Sequence, residues 1–570
     1  MQLPDIWGTG SIFAFSALDG ECTFEKSLIG VLSGDKIGIN FVTENNAFIY
    51  IEPKNVNNVS YSVVASDIIK GSLHTKDNND FHFEFIFISQ NTVLIRTPKC
   101  ARLCVRFSED ANVTKNENLV SFEFENEKYA LYSQSNEDYI ISAFSYGNDS
   151  AEDAKKCFTT DINCEVSKKL SYFNSVPIAE NIGKDTEMLY YKCFSVLKSM
   201  IYSPEGVFKT KWTSPDKVPH KKLWLWDSVF HSIALRHLSP DLAKEAIYAV
   251  LDTQREDGMI PHMSSPEKIS QITQAPVLAW GVLELYKFTK DMTILTDTYD
   301  RLKKYIQWNM ENRDENNNYL YEWFIDDTSV TCRCGECGMD NSPRFDNVTK
   351  MDCIDFSCFM AKEVQCLSEI AQLLDKQGEH IYWDVIFDRI KKSINDVLYC
   401  KEDGFYYDVI LSDNSFKKVK AVSSFLPLFA GVCDKNQAYE LLKHLKDEFN
   451  TPFSIPSIAK DDETYGTDMW RGPVWINYNY LIAKGLCDYG FKKEADEIIE
   501  KTISIMSKWY KNDGVIYEYY DSNDVLSPSR LNRKGHAVFP YMPHIKMQTI
   551  KDYGWSCALA IDMIISNRVM

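Results

Sequence analysis

The sequence predicts a multidomain protein: an N-terminal β-sandwich followed by an all-α (α/α)6 barrel. Three observations carry that expectation. Residues 1–150 show the strand period, the helical period dominates from about Lys184 onward, and about twelve helical segments can be counted after that point. The expected division is a β-sandwich over 1–150, a helical linker over 151–183 and a barrel over 184–570.

The β-rich stretches are Ser11–Ser16, Lys36–Val42, Ala47–Glu52, Phe81–Ile88, Thr92–Arg96, Leu103–Phe107, Leu119–Phe124 and Tyr139–Phe144. Gly, Asn and Asp punctuate them, and many short strands with frequent turns suit a sandwich. The period changes near Ser150. Helices are expected to begin near Lys184, Leu223, Asp241, Pro276, Met292, Ile354, Glu379, Ala421, Gln437, Trp475, Glu494 and Gly554. Ser239-Pro240-Asp241 is a start signal of the capping type. Six helical hairpins can close into a barrel whose inner helices line a funnel. The long connections 256–274, 313–352, 451–471 and 512–553 are rich in Gly, Pro and aromatic residues, and loops of that length in a compact domain are usually functional.

The 570 residues carry 62 Lys and Arg against 81 Asp and Glu, a net charge of −19. That balance argues against nucleic acid, whose phosphates need clustered cations, and does not favour an anionic membrane surface. The first twenty residues lack a basic region followed by an apolar one, and no apolar stretch has the length to cross a bilayer. The sixteen Cys are scattered, so reduced thiols and a cytoplasmic location are expected.

The chemistry concentrates in two loops. Glu336-Cys337-Gly338-Met339-Asp340-Asn341-Ser342-Pro343-Arg344-Phe345-Asp346 crowds three carboxylates, an amide and an arginine between helices. A partly desolvated carboxyl there could stay protonated as a general acid. The same composition also suits Asx turns and an Arg–carboxylate pair. Val515-Ile516-Tyr517-Glu518-Tyr519-Tyr520-Asp521 sets a carboxylate among aromatic rings, and could equally be an extended segment with a solvated Glu518. Glycoside hydrolysis needs two such carboxyl groups on opposite sides of a sugar. Aromatic and polar clusters recur at helix ends: Trp224-Leu225-Trp226-Asp227, Gln254 through His262, Trp470-Arg471-Gly472-Pro473-Val474-Trp475 and Tyr553-Gly554-Trp555. Rings with carboxylate, amide and imidazole partners suit the apolar faces and hydroxyls of sugars, although core packing explains any one tryptophan as well. Cys332-x-Cys334-x2-Cys337 offers three thiols where a structural zinc site wants four ligands, so no metal and no cofactor is expected. No Gly-rich phosphate loop stands at a strand–helix junction.

These motifs resemble glycoside hydrolase family 63, particularly its bacterial members, and more distantly the trehalases. GMDNSPRFD at 338–346 is similar to the family's acid-bearing loop, and the resemblance puts the general acid at Asp340. Glu518-Tyr519-Tyr520-Asp521 is similar to the stretch that carries the general base, at Glu518. By the same resemblance Trp226 and Asp227 bind the innermost sugar, with Gln274, Arg471 and Trp555. His262, Glu336 and Arg344, in the clusters above, complete the expected substrate-binding set. The likeness spans roughly Leu223 to Ile565 and implies an inverting mechanism on an (α/α)6 barrel. It implies an exo-acting enzyme for a small α-glucoside or related α-glycoside, without a cofactor. Its partner is a small carbohydrate, not nucleic acid or membrane.

Two departures stand out. The segment after Glu518 is long, and its Arg530, Arg533, Lys534 and Lys546, with His536 and His544, hint at an acidic aglycone. The Cys-rich run ahead of Asp340 bears on access to the acid. An α-mannoside such as mannosylglycerate is the alternative substrate. A phosphorylase or a non-catalytic sugar-binding protein on the same fold is the alternative function.

Overall fold

The computed structural model describes residues 1–329, 331–537, 542 and 545–566. The N-terminal part is two packed antiparallel sheets. One runs in the order Ile12–Ala14, Ile29–Leu32, Ile37–Phe41, Phe48–Pro53, Ala101–Arg106. The other runs Asn112–Asn116, Leu119–Glu123, Lys128–Ser135, Tyr139–Tyr146, Thr92–Pro98, Asp80–Ser89, Ile68–Thr75, Val56–Val64. Rings from the two sheets meet in the middle: Phe13 lies 4.8 Å from Phe87, and Phe41 5.7 Å from Phe144. Such buried aromatic pairs dominate the core of a sandwich.

The eight expected strands are present within a residue or two. Five more were not foreseen. Ile29–Leu32 is buried throughout and has no alternation to read, Asn112–Asn116 is exposed throughout, and Val56–Val64 carries two bulges that break the period. Ile68–Thr75 and Lys128–Ser135 complete the eight-stranded sheet between them.

Helices Ser150–Phe158 and Ile162–Ser175 follow, and twelve more run from Lys184 onward among the described residues. Six of these close a ring in which each packs on the next: Leu225–Leu238, Leu278–Thr289, Ile354–Leu373, Leu426–Ala430, Ile476–Asp488 and Gly554–Ser566. The other six are Lys184–Ser199, Pro240–Leu251, Met292–Asn312, Gln377–Ser393, Lys435–Asp447 and Lys492–Asp513. Residue pattern sorts most of the two sets. The ring helix Gly554–Ser566 is buried from Gly554 to Ile564, whereas Gln377–Ser393 buries only Trp383, Ile386 and Ile390. A helix apolar all round must be enclosed, and one with a single apolar stripe lies outside. Ser239 caps its helix by accepting from Leu242 N, as the Ser-Pro-Asp signal predicts. The start expected near Ala421 opens as a 3-10 turn, Val422–Phe425, before a single helical turn. No described helix is long and apolar enough to cross a membrane.

Buried charges join the two parts. Asp552, fully buried, accepts from Ser11 Oγ (2.7 Å), Ile12 N (2.8 Å), Lys192 Nζ (2.9 Å) and Ile516 N (3.0 Å). Asp67 and Asp19 share the ammonium groups of Lys198 and Lys169 at 2.5–3.2 Å.

Candidate active site

One narrow cleft is lined by Trp226, Asp227, Gln274, Asp340, Glu518 and Trp555, with His220, Trp224, Gly338, Met469, Trp475, Arg533 and Tyr553. Six of the ten residues singled out from sequence are therefore brought together. They come from the starts of two ring helices and from the long connections beside them.

Asp340 stands in the connection between Met292–Asn312 and Ile354–Leu373. Gly338 makes the tight approach possible: its φ is +73°, and the indole of Trp226 covers it. Side chains on either flank of Asp340 fix the loop. Arg471 donates to Asn341 O (2.9 Å) and to both oxygens of Asp346 (2.7 Å each), while Trp470 N donates to Asn341 Oδ1 (3.0 Å). Fully buried Glu336 accepts from Arg313 Nη2 (2.6 Å), Phe324 N (2.9 Å) and Thr273 N (3.3 Å), tying the loop to the segment that carries Gln274. Arg344, buried, forms paired contacts with Asp355 (2.7 and 2.9 Å) and Asp408 (2.8 and 2.7 Å).

Glu336, Arg344 and Arg471, expected to bind substrate, are thus not among the lining residues; their polar atoms are engaged in holding the acid loop. His262 is also behind the wall. Its Nδ1 pairs with Ser270 Oγ at 2.6 Å, its ring meets Trp224 edge-on at 5.1 Å, and burial pushes it down to about 4.

Asp340 is partly desolvated, and a cation stands against it. Its side chain is 19% exposed and its Oδ2 is ion-paired with Lys534 Nζ. Cys332 also hydrogen-bonds this carboxyl, and burial followed by the Asp340 charge pushes that thiol up to about 12. Glu518 is buried on an extended run that pairs with Ile550, and Arg533 grips both its oxygens (2.9 and 3.1 Å). Charge-assisted contacts of this paired kind are strong and fix the orientation of the carboxyl group.

Asp227 is the desolvated carboxyl of the cleft. It is 2% exposed, Oδ1 has no hydrogen-bond partner among the described residues, and burial raises it well above the ordinary carboxylate range. The indole N–H groups of Trp224 and Trp555 are likewise buried and without a partner among the described residues. Buried polar atoms cost free energy unless they are satisfied, so an acceptor and two donors here fit a hydroxyl-rich ligand. Gln274 Oε1 accepts from Trp226 N (3.1 Å) and fixes the start of the Asp227 helix. Trp226 and Trp475 flank Trp555 at 5.1 and 5.7 Å.

Sequence reading saw Arg533 and Lys534 as loop cations hinting at an acidic aglycone, not as partners of Glu518 and Asp340. No short spacing links them to Glu518 or Asp340. Trp224, Trp475 and Tyr553 were each in a noted cluster without being assigned. His544 lies outside the described residues. All sixteen Cys are free thiols, and Cys332, Cys334 and Cys337 do not form a metal-binding group. The group of metal-ligating type among the described residues, Cys353, Asp355 and Asp408, has both carboxylates taken by Arg344.

Comparison with known proteins agrees with this architecture. Mannosylglycerate hydrolase MGH1 of Selaginella moellendorffii is 23% identical over 389 residues, 54% of this chain and 77% of its own. A Borreliella burgdorferi protein is 26% identical over 305 residues, and the chain covers 59% of its length. The fold matches a GH63 mannosylglycerate hydrolase from Thermus thermophilus in complex with glucose, at 23% identity and TM-score 0.53 over 66% of this chain and 99% of that one. A bacterial glucoamylase complexed with acarbose matches over 99% of this chain and 96% of that one, at 13% identity and TM-score 0.61. The mannosylglycerate hydrolase MGH1-like glycoside hydrolase domain matches residues 219–556, more than half of the chain, and the chain belongs to that family.

Proposed function

We propose that this chain is an inverting, exo-acting glycoside hydrolase on an (α/α)6 barrel, with Asp340 as general acid and Glu518 as general base. The observation that carries the reading is the single cleft into which both carboxyl groups project, together with the unpaired Asp227 oxygen and indole N–H groups. Glu518, oriented by Arg533, takes a proton from water, and Asp340 gives one to the leaving oxygen. Inversion places the two carboxyls roughly 6.5–9.5 Å apart with the water between them. Asp227, Gln274 and Trp555 hold the sugar, with Trp226 beside it. Arg471, Glu336, Arg344 and His262 act by positioning. The division proposed is a sandwich over 1–150, a linker over 151–183 and the catalytic part over 184–570, in a reducing, cytoplasmic setting that suits sixteen free thiols.

An α-glucoside is one substrate class for such a site. The cations Arg533 and Lys534 at the cleft, with the names of the relatives, favour an α-hexoside of a small hydroxy acid such as mannosylglycerate. Proton NMR of the anomeric signals tests both points. Early β-anomer from an α-linked substrate in phosphate-free buffer is expected, and release that needs phosphate would indicate a phosphorylase instead. Asp340→Asn should lower turnover by about 10²–10⁴ while sugar binding survives. Near-wild-type turnover would remove Asp340 from the acid role.

A further inference from the structure

Arg533 and Lys534 are consecutive, and between them they hold two of the cleft's carboxyl groups, Glu518 and Asp340. The two contacts differ in meaning. A base works as an anion, so the guanidinium on Glu518 suits its task. An acid must carry a proton, and the Lys534 ammonium occupies Asp340 Oδ2, an oxygen from which that proton would be delivered. The other groups facing Asp340 do not arm it. The Cys332 thiol stays protonated, His262 is held neutral by burial, and Arg533 is engaged with Glu518. In this arrangement Asp340 Oδ2 faces an ammonium rather than the cleft.

The contact is built to move. The Lys534 and Gly535 backbone N–H groups are anchored on Asp468 (2.8 and 3.2 Å), so the backbone is fixed while a flexible four-carbon side chain reaches Asp340. Further positive charge stands on the same side. Lys546 O accepts from Arg533 Nη1 (2.6 Å), and the Lys546 ammonium is lowered by burial and by Arg533, Lys534 and Lys222. An anion arriving there meets Lys546 and Lys222 beside the two engaged cations.

We propose that Lys534 gates the general acid: an anionic aglycone draws its ammonium away from Asp340, which then takes a proton from solvent and can protonate the leaving oxygen. This rests on the assignment of Asp340 as acid. One ion pair is exchanged for another and one proton enters from water. In turnover that proton passes to the leaving oxygen, and Glu518 takes one from the attacking water. The glycosidic bond is replaced by two hydroxyls, and the proton held by Glu518 returns to solvent. The ligand class selected is a glycoside of a small carboxylic acid. A neutral aglycone leaves the Lys534–Asp340 pair in place. Lys534 is a positioning residue in this scheme.

Calorimetry with D-glycerate at about pH 6, in two buffers of different ionisation enthalpy, reads proton uptake directly and does not depend on turnover. Binding by the wild type should take up close to ~1 proton per site, since a carboxylate that loses its cation binds protons more readily. Lys534→Met and Asp340→Asn should take up none, and Lys534→Arg should restore uptake. Binding without uptake overturns the gate, and absence of binding overturns the ligand class. A glycoside acid and its methyl ester give the kinetic counterpart: wild type should favour the acid by about 10² or more in kcat/KM, and Lys534→Met should bring the two within about tenfold. If the hydrolase reading alone is wrong, proton uptake persists with neither glycoside cut. If the gate alone is wrong, both are cut at similar rates without uptake.

Discussion

The indole of Trp226 lies so close to Gly338 that a methyl group there would come within 2.4 Å of the ring. The backbone of Gly338 is also left-handed, where any L side chain costs about 1–2 kcal/mol. Gly338→Ala should therefore shift both Trp226 and the adjacent Asp340. A displacement of about 1 Å in a catalytic group costs on the order of 10² in rate. Steady-state kinetics should show that loss, with a melting temperature lower by only a few degrees.

Asp227 should trade stability for function. Burial raises its folded-state value, so the folded protein keeps a proton that the unfolded chain releases near 3.8. Its contribution to stability is full below that pH and falls as pH rises toward the folded value. Asp227→Asn removes this slope. Thermal melts across the pH range should show the variant more stable than wild type at neutral pH, by about a few degrees. Its kcat/KM should drop by at least about tenfold, because the sugar loses the carboxyl group it bonds to.

Arg344 should matter to folding and not to sugar affinity. It joins Asp355 and Asp408 in the core, and removing one member of a buried charge network typically costs about 3–5 kcal/mol. Arg344→Met is expected to lower the unfolding free energy from denaturant titration by that amount. Arg344→Lys keeps the charge but not the fork, and should recover only part of the loss. Titration of the folded fraction with a sugar inhibitor should give a wild-type dissociation constant.

Acid should weaken the junction between the sandwich and the helices. Burial alone would raise Asp67, but the ammonium groups of Lys198 and Lys169 more than offset it and hold the carboxyl below its usual 3.8. Its stabilising contribution is therefore present above 3.8 and is lost as pH falls through the depressed folded value. Asp67→Asn should show a shallower acid limb in pH-dependent melts and cost about 3–5 kcal/mol at neutral pH.

Much of this was legible in the sequence, for identifiable reasons. Helix starts were readable because ring helices are apolar all round and Ser239-Pro240 carries its own cap. Asp340, Glu518, Asp227 and Trp555 were readable because each sits in a compact local motif. Strands such as Ile29–Leu32 and Asn112–Asn116 escaped because uniform burial or uniform exposure leaves no period of two. Arg344 and Arg471 were placed on the sugar because motif membership does not distinguish a side chain that touches ligand from one that braces the loop. Arg533 was missed for the opposite reason: it meets Glu518 fifteen residues away through a segment without regular structure.

Asp552 has a consequence for how the chain is handled. One carboxylate takes hydrogen bonds from the backbone of Ile12, in the first strand, and from the backbone of Ile516, two residues before Glu518. The opening strand is therefore a strut of the candidate site, and the sandwich is no detachable accessory. Excising the helical part at residue 184 would strand a buried anion beside Lys192 and slacken the extended run that carries Glu518. Domain exchange among relatives will succeed only where the first strand travels with the barrel it braces.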